Sequence, residues 1–447
     1  MRITLPEAEA FCTLITQHTG QEPTSPITGI ATDSRECVSG DLYIALKGDK
    51  VDGHQFIQQA KNNGAAASLI DQDITDINGM YTIHVDDVLA ALGNLARDWR
   101  KQFDVPVIGI TGSNGKTTTK ELLKHIFTDH ENVHATTGNF NTSIGVPLTL
   151  FQLSYEHTIS LIEMGANQSG DIEYLCRITE PTHGLITNIA PAHLEGFGSI
   201  EEVARTKGAL FNALQKGIAF VNMADEYVRG LEISGASISY GLTPDCDFPA
   251  DIHHEKDGTI TVTIDAEEIK TDSHNLSFVK NVIAASAIAI KLGIDWDIFR
   301  QRVKSFQAPK GRCEVKQLNN ITIIDDTYNA NLNSTLAAID YLKAFSGNGR
   351  RVLVFGDMFE LGEGSVDHHR QVGEHCKEME LDAVFSTGHE STITDSALND
   401  SVFHQHFDSK QDLLTSLRDW IESGDKLLVK GSRGMAMETI IEGLAKN

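Results

Sequence analysis

The sequence predicts an α/β protein built from three domains, and three observations lead to this fold class. The chain has 447 residues, whereas a single domain usually contains about 100–200. Short apolar runs rich in β-branched residues alternate with amphipathic stretches, a pattern typical of mostly parallel sheets covered by helices. A glycine-rich segment lies between one such strand and one such helix, an arrangement typical of phosphate binding.

A small N-terminal α/β domain is predicted over residues 1–100. Short strands are expected within 41–48 and 67–70, and residues 53–65 between them have helical spacing that ends in glycine. In residues 88–103, apolar side chains return every three to four positions. This periodicity predicts an amphipathic helix that could bridge the first domain and the second.

A central mononucleotide-binding domain with a parallel sheet is predicted over residues 101–310. The apolar run 105–110 predicts a strand buried on both faces, and a helix is expected over 118–127, directly after the glycine-rich segment. Residues 250–272 alternate polar and apolar side chains, which predicts an antiparallel extension. Further strands are expected at 158–165, 183–189 and 217–223, and one apolar helix is expected at 281–294.

A third, Rossmann-like α/β domain is predicted over residues 311–447. Pro309 and Gly311 interrupt the preceding pattern and mark its start. Buried strands that each end in small or polar residues are then expected at 320–326, 350–358, 382–388 and 425–432. Their spacing leaves room for helices between them, as in other α/β units.

The composition excludes several classes of function. The formal net charge is −25, which argues against broad binding to nucleic acid or to an anionic membrane, since both favour basic surfaces. No apolar run reaches the roughly 18–20 residues that a membrane span requires. The six cysteines are scattered without metal-ligand spacing, so free thiols in a reducing compartment are expected. We therefore expect a cytoplasmic protein with no nucleic-acid partner and no membrane span.

The glycine-rich segment reads TGSNGKTTT over residues 111–119. The strict Walker A pattern would require a further glycine where Ile110 stands, but the physical requirements for phosphate binding are met. Gly112 and Gly115 let backbone amides turn toward phosphate oxygens, Lys116 supplies a compact positive charge, and the Thr117 hydroxyl can ligate Mg²⁺. The segment therefore predicts ATP binding by Gly112, Ser113, Asn114, Gly115, Lys116, Thr117 and Thr118.

This variant of the loop resembles that of the Mur ligase family, and the resemblance extends over nearly the whole chain. Seven further blocks follow in the family's order, at 31–65, 136–150, 163–172, 188–211, 325–339, 356–362 and 428–438. Within the family, the chain is most similar to the members that join D-alanyl-D-alanine to UDP-N-acetylmuramoyl-tripeptide. The resemblance implies those two substrates, ATP and Mg²⁺ as cofactors, and an acyl phosphate intermediate. A monomer is expected, although the sequence does not fix the oligomeric state.

Four residues are expected to be catalytic from the resemblance. They are Lys116, Glu163, His193 and Lys207. Glu163 and His193 follow predicted buried strands, and open α/β sheets bind their ligands at the carboxyl ends of strands. The family implies that these two residues and Thr117 hold Mg²⁺, and that Lys207 carries a carbamate derived from CO₂.

The resemblance also assigns residues to the substrates and to the remainder of ATP. Near the uridine diphosphate it places Ser34, Arg35, Lys47 and His54, and near the sugar-peptide Thr137, Asn139 and Asn141. Residues expected to contact ATP outside the loop are Asn281, Arg312 and Asp326, and those expected to face the same cleft are Tyr328, Asn329 and Asn331. A basic pair after a buried strand suits the carboxylate of the dipeptide, which predicts binding by Lys430, Ser432 and Arg433.

One stretch departs from the family pattern. The usual histidine would stand at Ser277, four positions before Asn281, which is expected to begin the apolar helix near adenine. The His-Asn pair of this chain instead lies at residues 274–275. Asn281 is therefore carried over from the family, whereas His274 is not.

Two other functions remain open from the sequence. A related Mur ligase could add a different amino acid, although the Asp-Asn-Pro-Arg motif typical of the ligase for the third residue is absent and residues 356–362 read GDMFELG instead. A nucleotide-hydrolysing switch protein would also need the phosphate loop. A switch would release phosphate without the peptide substrates, whereas a ligase would need both of them.

Overall fold

The computed structural model describes residues 1–48, 50–74, 80–345 and 347–446. These residues form three α/β units, each built around one mixed sheet, so the predicted fold class is confirmed. The exact domain limits at 100/101 and 310/311 stay predictions, and the last residue of the third predicted domain lies outside the described residues.

The first unit contains a five-stranded sheet in the order β1-β2-β3-β4-β5, with β1 antiparallel to β2 and the other neighbours parallel. Its strands are β1 (Arg2–Thr4), β2 (Gly29–Ala31), β3 (Asp41–Ile44), β4 (Ala67–Ile70) and β5 (Tyr81–His84). Its helices are α1 (Ala8–Thr19), α2 (Ile57–Asn62) and α3 (Val88–Arg100). The predicted helix over 53–65 is shorter than expected, because residues 53–56 form a 3₁₀ turn.

Helix α3 joins the first unit to the second, as its periodicity predicts. The Trp99 side chain is fully buried, contacts the ring of Phe11 in α1 edge-on, and donates a hydrogen bond of 3.1 Å to the carbonyl oxygen of Leu153. The Arg100 guanidinium donates to the carbonyl oxygen of Thr179 at 3.1 Å. One continuous apolar core therefore extends from the first unit into the second.

The central unit contains a nine-stranded sheet in the order β14-β13-β12-β11-β10-β9-β6-β8-β7. Its strands are β6 (Val107–Thr111), β7 (Val133–Ala135), β8 (Ile159–Glu163), β9 (His183–Ile186), β10 (Ile218–Asn222), β11 (Ala236–Gly241), β12 (Phe248–His254), β13 (Ile260–Ile264) and β14 (Glu267–Lys270). Strands β6 to β12 are parallel, whereas β13 and β14 add antiparallel pairs. The antiparallel extension predicted over 250–272 is thus confirmed.

The helices of the central unit cover both faces of this sheet. They are α4 (Lys116–Phe127), α5 (Gly145–Leu150), α6 (Asp171–Thr179), α7 (Leu194–Phe197), α8 (Ile200–Ala213), α9 (Glu226–Arg229), α10 (Leu276–Lys291) and α11 (Trp296–Ser305). Helix α10 begins earlier than expected, because the side chain of Asn275 caps it by accepting from the Phe278 amide. Asn281 therefore lies in the second turn of this helix, and the prediction that it begins the helix is wrong.

The third unit contains a six-stranded sheet in the order β15-β16-β20-β17-β18-β19, in which only the β15–β16 pair is antiparallel. Its strands are β15 (Glu314–Leu318), β16 (Ile321–Asp326), β17 (Arg351–Gly356), β18 (Ala383–Thr387), β19 (Phe403–Phe407) and β20 (Lys426–Lys430). Its helices are α12 (Leu332–Ala344), α13 (Ser365–Glu378), α14 (Ser391–Ser396), α15 (Lys410–Trp420) and α16 (Glu438–Leu444). The four strands predicted for this unit are confirmed as β16, β17, β18 and β20.

None of the six cysteines is paired. In the part of the chain that the structure describes, no helix combines the length and the apolar character needed to cross a lipid bilayer.

Candidate active site

The glycine-rich loop lies where the sequence predicts it, between β6 and α4. Gly112 and Gly115 have φ values of 144° and 82°, which L side chains rarely adopt. A Cβ atom on Gly115 would lie 2.6 Å from Oδ1 of Asn281, and one on Gly112 would lie 1.9 Å from Oγ1 of Thr187. The backbone conformation and the close neighbours therefore both require glycine at these two positions.

The segment that follows the neighbouring strand β9 holds the loop in place. The amide of Ser113 donates to the Asn188 carbonyl oxygen at 2.9 Å, and the amide of Asn114 donates to the Asn188 side chain at 3.0 Å. The Ser113 hydroxyl donates to the carbonyl oxygen of Ala190 at 2.9 Å. Asn188 was not predicted as a site residue, although its place after β9, the strand beside β6, is a usual position for such a contact.

Lys116 is the first residue of α4, and its ammonium group folds back over the loop. It donates to the carbonyl oxygens of Gly112 at 2.6 Å and Ser113 at 3.3 Å. Burial lowers the pKa of Lys116 to about 8, although the negative charge of Glu163 acts in the opposite direction. The charge therefore lies at the helix N-terminus, where the helix dipole also favours an anion.

A cavity of about 1220 Å³ opens in front of this loop, bordered by the central and the third units. Its size exceeds that of typical small-ligand pockets, which measure roughly 300–1,000 Å³. From the central unit it is lined by the predicted residues Ser113, Asn114, Gly115, Lys116, Thr117, Thr118, Asn141, Glu163, His193 and Asn281. From the third unit it is lined by Arg312, Asp326, Tyr328, Asn329, Asn331 and Lys430.

Glu163 ends strand β8 and is almost fully buried at the wall of the cavity. Its Oε1 atom accepts a hydrogen bond of 2.8 Å from the side chain of Asn141. Its Oε2 atom is buried without a hydrogen-bond partner among the described residues. A buried carboxylate oxygen without a partner is costly in free energy, so this atom is suited to a positively charged ligand.

His193 lies in the loop before α7, with the left-handed φ value of 54°. Its Nδ1 atom forms a hydrogen bond with the carboxylate of Glu360 from the third unit. Burial lowers the pKa of His193, although Glu360 acts in the opposite direction. Glu360 was not predicted as a site residue, because nothing in the sequence pairs it with a histidine 167 positions away.

Lys207 lies on α8 and is only 2% exposed. Burial lowers the pKa of its amine well below the usual value, and the positive charge of Lys116 lowers it further. Its Nζ atom lies 5.9 Å from the ring centre of Phe197, and no described carboxylate comes within 4.0 Å of it. Lys207 is thus a buried amine, and burial favours its neutral form more than in an exposed lysine.

From the third unit, Arg312 and Asp326 reach the cavity by different contacts. The Arg312 guanidinium lies 4.0 Å from the ring centre of Tyr328. Asp326 ends strand β16 and forms an ion pair with the ammonium of Lys430, while its Oδ1 accepts from the Cys313 amide at 3.1 Å. Lys430 also donates to the carbonyl oxygen of Asn329 at 3.0 Å. The structure thus pairs a residue expected to bind ATP with one expected to bind the dipeptide.

A second contact between units involves the phosphate loop itself. The side-chain amide of Asn331 donates to Oδ1 of Asn114 at 2.8 Å. Asn331 also caps α12, together with Ser334, in a reciprocal capping box. The loop and the first turn of α12 are therefore held against each other.

Ser432 and Arg433 do not line the cavity. The Ser432 hydroxyl accepts from the amide of Phe359 at 2.8 Å. The Arg433 guanidinium donates to the carboxylate of Glu438 at 2.8 Å, and its side chain is 63% exposed. Their expected contact with a dipeptide stays a prediction.

The residues expected at the uridine diphosphate lie around α2 in the first unit. The Ser34 hydroxyl donates to the side chain of Gln59 at 2.8 Å, and Arg35 forms an exposed pair with Asp33. Both ring nitrogens of His54 have partners: Nδ1 lies 2.7 Å from the Asp52 carboxylate, and Nε2 accepts from the Asp71 amide. Lys47, also expected at the uridine diphosphate, is exposed. Thr137 and Asn139, expected at the sugar-peptide, are exposed as well. The roles of these three residues stay predictions.

A glycine-rich loop at the end of a parallel strand, with a cavity in front of it, defines a nucleotide-binding α/β protein. Comparison with known proteins specifies the class further. Three family models match the chain. The Mur ligase middle domain matches residues 110–289, the Mur ligase glutamate ligase domain matches residues 311–433, and the Mur ligase family catalytic domain matches residues 26–100. The chain therefore belongs to the Mur ligase family.

Individual relatives match over almost their whole length. The UDP-N-acetylmuramoyl-tripeptide–D-alanyl-D-alanine ligase of Haemophilus influenzae is 39% identical, with 93% of each chain covered, and that of Escherichia coli is 37% identical, with 94% covered. A crystal structure of MurF from Acinetobacter baumannii superposes with a TM-score of 0.89, 31% identity and 98% coverage of both chains. MurF ligase from Thermotoga maritima in complex with ADP has a TM-score of 0.82 and 29% identity, covering 93% of this chain and 97% of that one.

Proposed function

We propose that the protein is an ATP-dependent ligase that joins D-alanyl-D-alanine to UDP-N-acetylmuramoyl-tripeptide, a step in peptidoglycan synthesis. The relatives named for this reaction support the proposal, since they match over 93–94% of both chains. The observation that carries it is the cavity at the phosphate loop, which is bordered by side chains from two units. A ligase must bring a nucleotide together with the reacting ends of two substrates that carry carboxylates, and a cavity bordered by two units is suited to this.

The proposed reaction has two steps. The carboxylate at the end of the tripeptide takes the terminal phosphoryl group of ATP, which gives an acyl phosphate and ADP. The free amine of D-alanyl-D-alanine then attacks the acyl carbon, forms the amide and displaces inorganic phosphate with loss of one proton. Positioning and charge neutralisation supply most of the catalysis in such phosphoryl transfers.

Residues of the loop are suited to the first step. Residues 115–118 line the cavity, and the amides at the N-terminus of α4 would hold the ATP phosphates there. The Lys116 ammonium would leave the carbonyl oxygens that it now contacts and neutralise the terminal phosphate. Arg312, stacked on Tyr328, adds a second positive charge from the third unit.

The residues present fit a bound Mg²⁺ ion. The unpartnered Oε2 of Glu163, the hydroxyl of Thr117 and the ring of His193 are the donors that would hold it. The described residues contain no cluster of three or more His, Cys, Asp and Glu side chains suited to a metal, so phosphate oxygens and water would complete the coordination. When bound, the ion would supply charge neutralisation and orientation of the phosphates.

The environment of Lys207 supports the carbamate that the family resemblance implies. Only a neutral amine adds CO₂, and burial beside Lys116 favours the neutral form. Addition forms an N–C bond and releases one proton, which converts the residue into an anion. A carbamate at this position would offset the positive charge of Lys116. A ¹³C NMR spectrum in labelled bicarbonate should contain a carbamate signal that Lys207→Gln lacks.

The proposed ligation is tested by product mass. The protein is supplied with UDP-N-acetylmuramoyl-tripeptide, Mg-ATP and D-alanyl-D-alanine, and the expected product has the summed mass of both substrates less one water. Replacing D-alanyl-D-alanine with other amino acids tests the related ligase activities. A product formed from one of these instead would contradict the proposed substrate.

Phosphate release separates a ligase from a nucleotide-hydrolysing switch. Release should require both peptide substrates, and steady release from Mg-ATP alone would favour the switch. The proposal also includes a monomeric, cytoplasmic protein, for which sedimentation and cell fractionation are the tests.

A further inference from the structure

A carboxylate of the third unit reaches the central unit at His193. Glu360 follows β17, in the segment 357–364, and its side chain accepts a hydrogen bond from Nδ1 of His193. Its carbonyl oxygen also accepts from the amide of Glu195 at 3.3 Å. Backbone and side chain of one residue thus contact the same loop of the other unit.

Both partners of this contact have an unusual backbone conformation. His193 has a φ value of 54° and Glu360 one of 62°, in the left-handed region that favours glycine. Such conformations are costly for residues other than glycine and persist only where the surroundings hold them. Two residues with this conformation therefore meet at the boundary between the units.

The contact decides which nitrogen of His193 is free. A carboxylate can only accept hydrogen bonds, so Nδ1 carries the proton and the lone pair of the neutral ring lies on Nε2. Nε2 has no hydrogen-bond partner within the described ranges, and His193 lines the cavity beside the phosphate loop. The neutral ring therefore has one nitrogen, Nε2, whose lone pair is available to a ligand in the cavity.

We propose that Glu360 is a positioning residue, which orients His193 from the third unit so that Nε2 can bind a divalent cation in the central unit. Histidines that bind metals commonly donate their other N–H to a carboxylate, which fixes the tautomer and the ring. Here that carboxylate belongs to a different unit. Cation affinity thus depends on docking of the third unit, and by thermodynamic reciprocity a bound cation favours docking by the same factor.

This inference rests on the cation role of His193 in the proposed function. The test is a titration of the full chain with Mn²⁺ alone, followed by electron paramagnetic resonance. Glu360→Gln should weaken Mn²⁺ binding about tenfold, at the low end of the effect of such supporting carboxylates. The matched control is Glu363→Gln, which removes the same charge from an exposed residue three positions away and should leave the affinity unchanged.

A second readout identifies the ligand atom. Pulsed resonance spectra of bound Mn²⁺ should contain the coupling of a directly bonded imidazole nitrogen, and His193→Ala should abolish it. By small-angle scattering, saturating Mn²⁺ should make the wild-type chain more compact and should have less effect on Glu360→Gln. Thermal melting of each variant confirms that it is folded.

Three results would overturn the proposal. The first is an unchanged Mn²⁺ affinity in Glu360→Gln. The second is tighter Mn²⁺ binding in that variant, which would show that Glu360 competes with the cation for His193. The third is an equal loss of affinity in Glu360→Gln and Glu363→Gln. The product-mass assay distinguishes this failure from failure of the proposed function. If wild type and Glu360→Gln make the same product while their Mn²⁺ affinities are equal, only the role of Glu360 is lost.

Discussion

The phosphate loop over residues 112–117 and the segment 430–433 both follow buried parallel strands, yet they present their functional groups differently. In the loop, glycine conformations and backbone amides make the site, and the charge of Lys116 lies over the loop's own carbonyl oxygens. In the segment, side chains are already paired: Lys430 with Asp326, and Arg433 with Glu438.

The difference shows what kind of site a short motif can determine. A loop defined by φ values and a helix N-terminus carries its geometry in its own residues. Side chains at a strand end take the partners that the tertiary structure places opposite them. The first kind of site is therefore predictable from local sequence, whereas the second depends on contacts distant in the chain.

Removing the charge of the loop should have the largest effect. Lys116→Met is expected to lower kcat for product formation about 10²–10³-fold, as loss of one preorganised charge donor commonly does. Lys124→Met, which removes an exposed lysine from the same helix, is the control. If Lys116→Met kept kcat within about threefold of wild type, the loop would not hold the reacting phosphate.

Changing the backbone of the loop tests whether its conformation makes the site. Gly115→Ala places a Cβ 2.6 Å from Asn281 in a residue with a φ value of 82°, which should cost about 2 kcal/mol and weaken ADP binding about 30-fold. Calorimetry measures this affinity. The control is Gly293→Ala, at a residue with a φ value of 96° but with no atom near the added Cβ. If both variants weakened ADP binding equally, the effect would not depend on the conformation of the loop.

In the second region, the segment 430–433, a change of side chain is expected to affect the binding of one substrate. If Arg433 leaves Glu438 to bind the dipeptide carboxylate, Arg433→Ala should raise KM for D-alanyl-D-alanine roughly tenfold with little change in kcat. Glu438→Gln, which removes the competing carboxylate, should not raise KM. Steady-state kinetics give both values, and an unchanged KM in Arg433→Ala would remove this residue from the dipeptide site.

The smallest expected effect concerns the stability of the central sheet, next to the phosphate loop. His134 on β7 is buried between the Ser160 hydroxyl and the Thr149 carbonyl oxygen, and burial lowers its pKa to about 4. The unfolded chain binds a proton near pH 6.5 and the folded one does not, so stability falls as pH decreases from about 6.5 to 4. His134 should account for about 0.7 kcal/mol of the loss between pH 7 and pH 6.

The matched variant for this effect is His134→Gln, which keeps hydrogen bonding without a titratable group. Urea unfolding at both pH values measures the free energy of unfolding. The variant should lose less stability than wild type over this interval. An equal loss would assign the acid sensitivity to other groups.

The fold was predictable because buried parallel strands have a distinctive apolar composition. The strands predicted around the loop and in the third unit lie where the sequence places them, with ends shifted by a few residues, whereas β7, β15 and β19 were not predicted. The start of α10 was misplaced because Asn275 caps it, and a cap is decided by local geometry that a family pattern centred on Asn281 does not convey.

The candidate site was predictable in part. The loop, Glu163 and His193 meet at one cavity, as the strand-end rule suggests. The contact of His193 with Glu360 and that of Asn114 with Asn331 join residues 167 and 217 positions apart. Such pairs form only when two units dock, and one sequence contains no local signal for them.

The most direct test of the account is the fate of the carboxylate oxygens. When the terminal carboxylate of the tripeptide is labelled with ¹⁸O, attack on the phosphoryl group of ATP should transfer one labelled oxygen to phosphate for each amide formed. Mass spectrometry of the released phosphate measures this. One ¹⁸O per phosphate is the predicted result, and unlabelled phosphate released at the rate of amide formation would contradict the account.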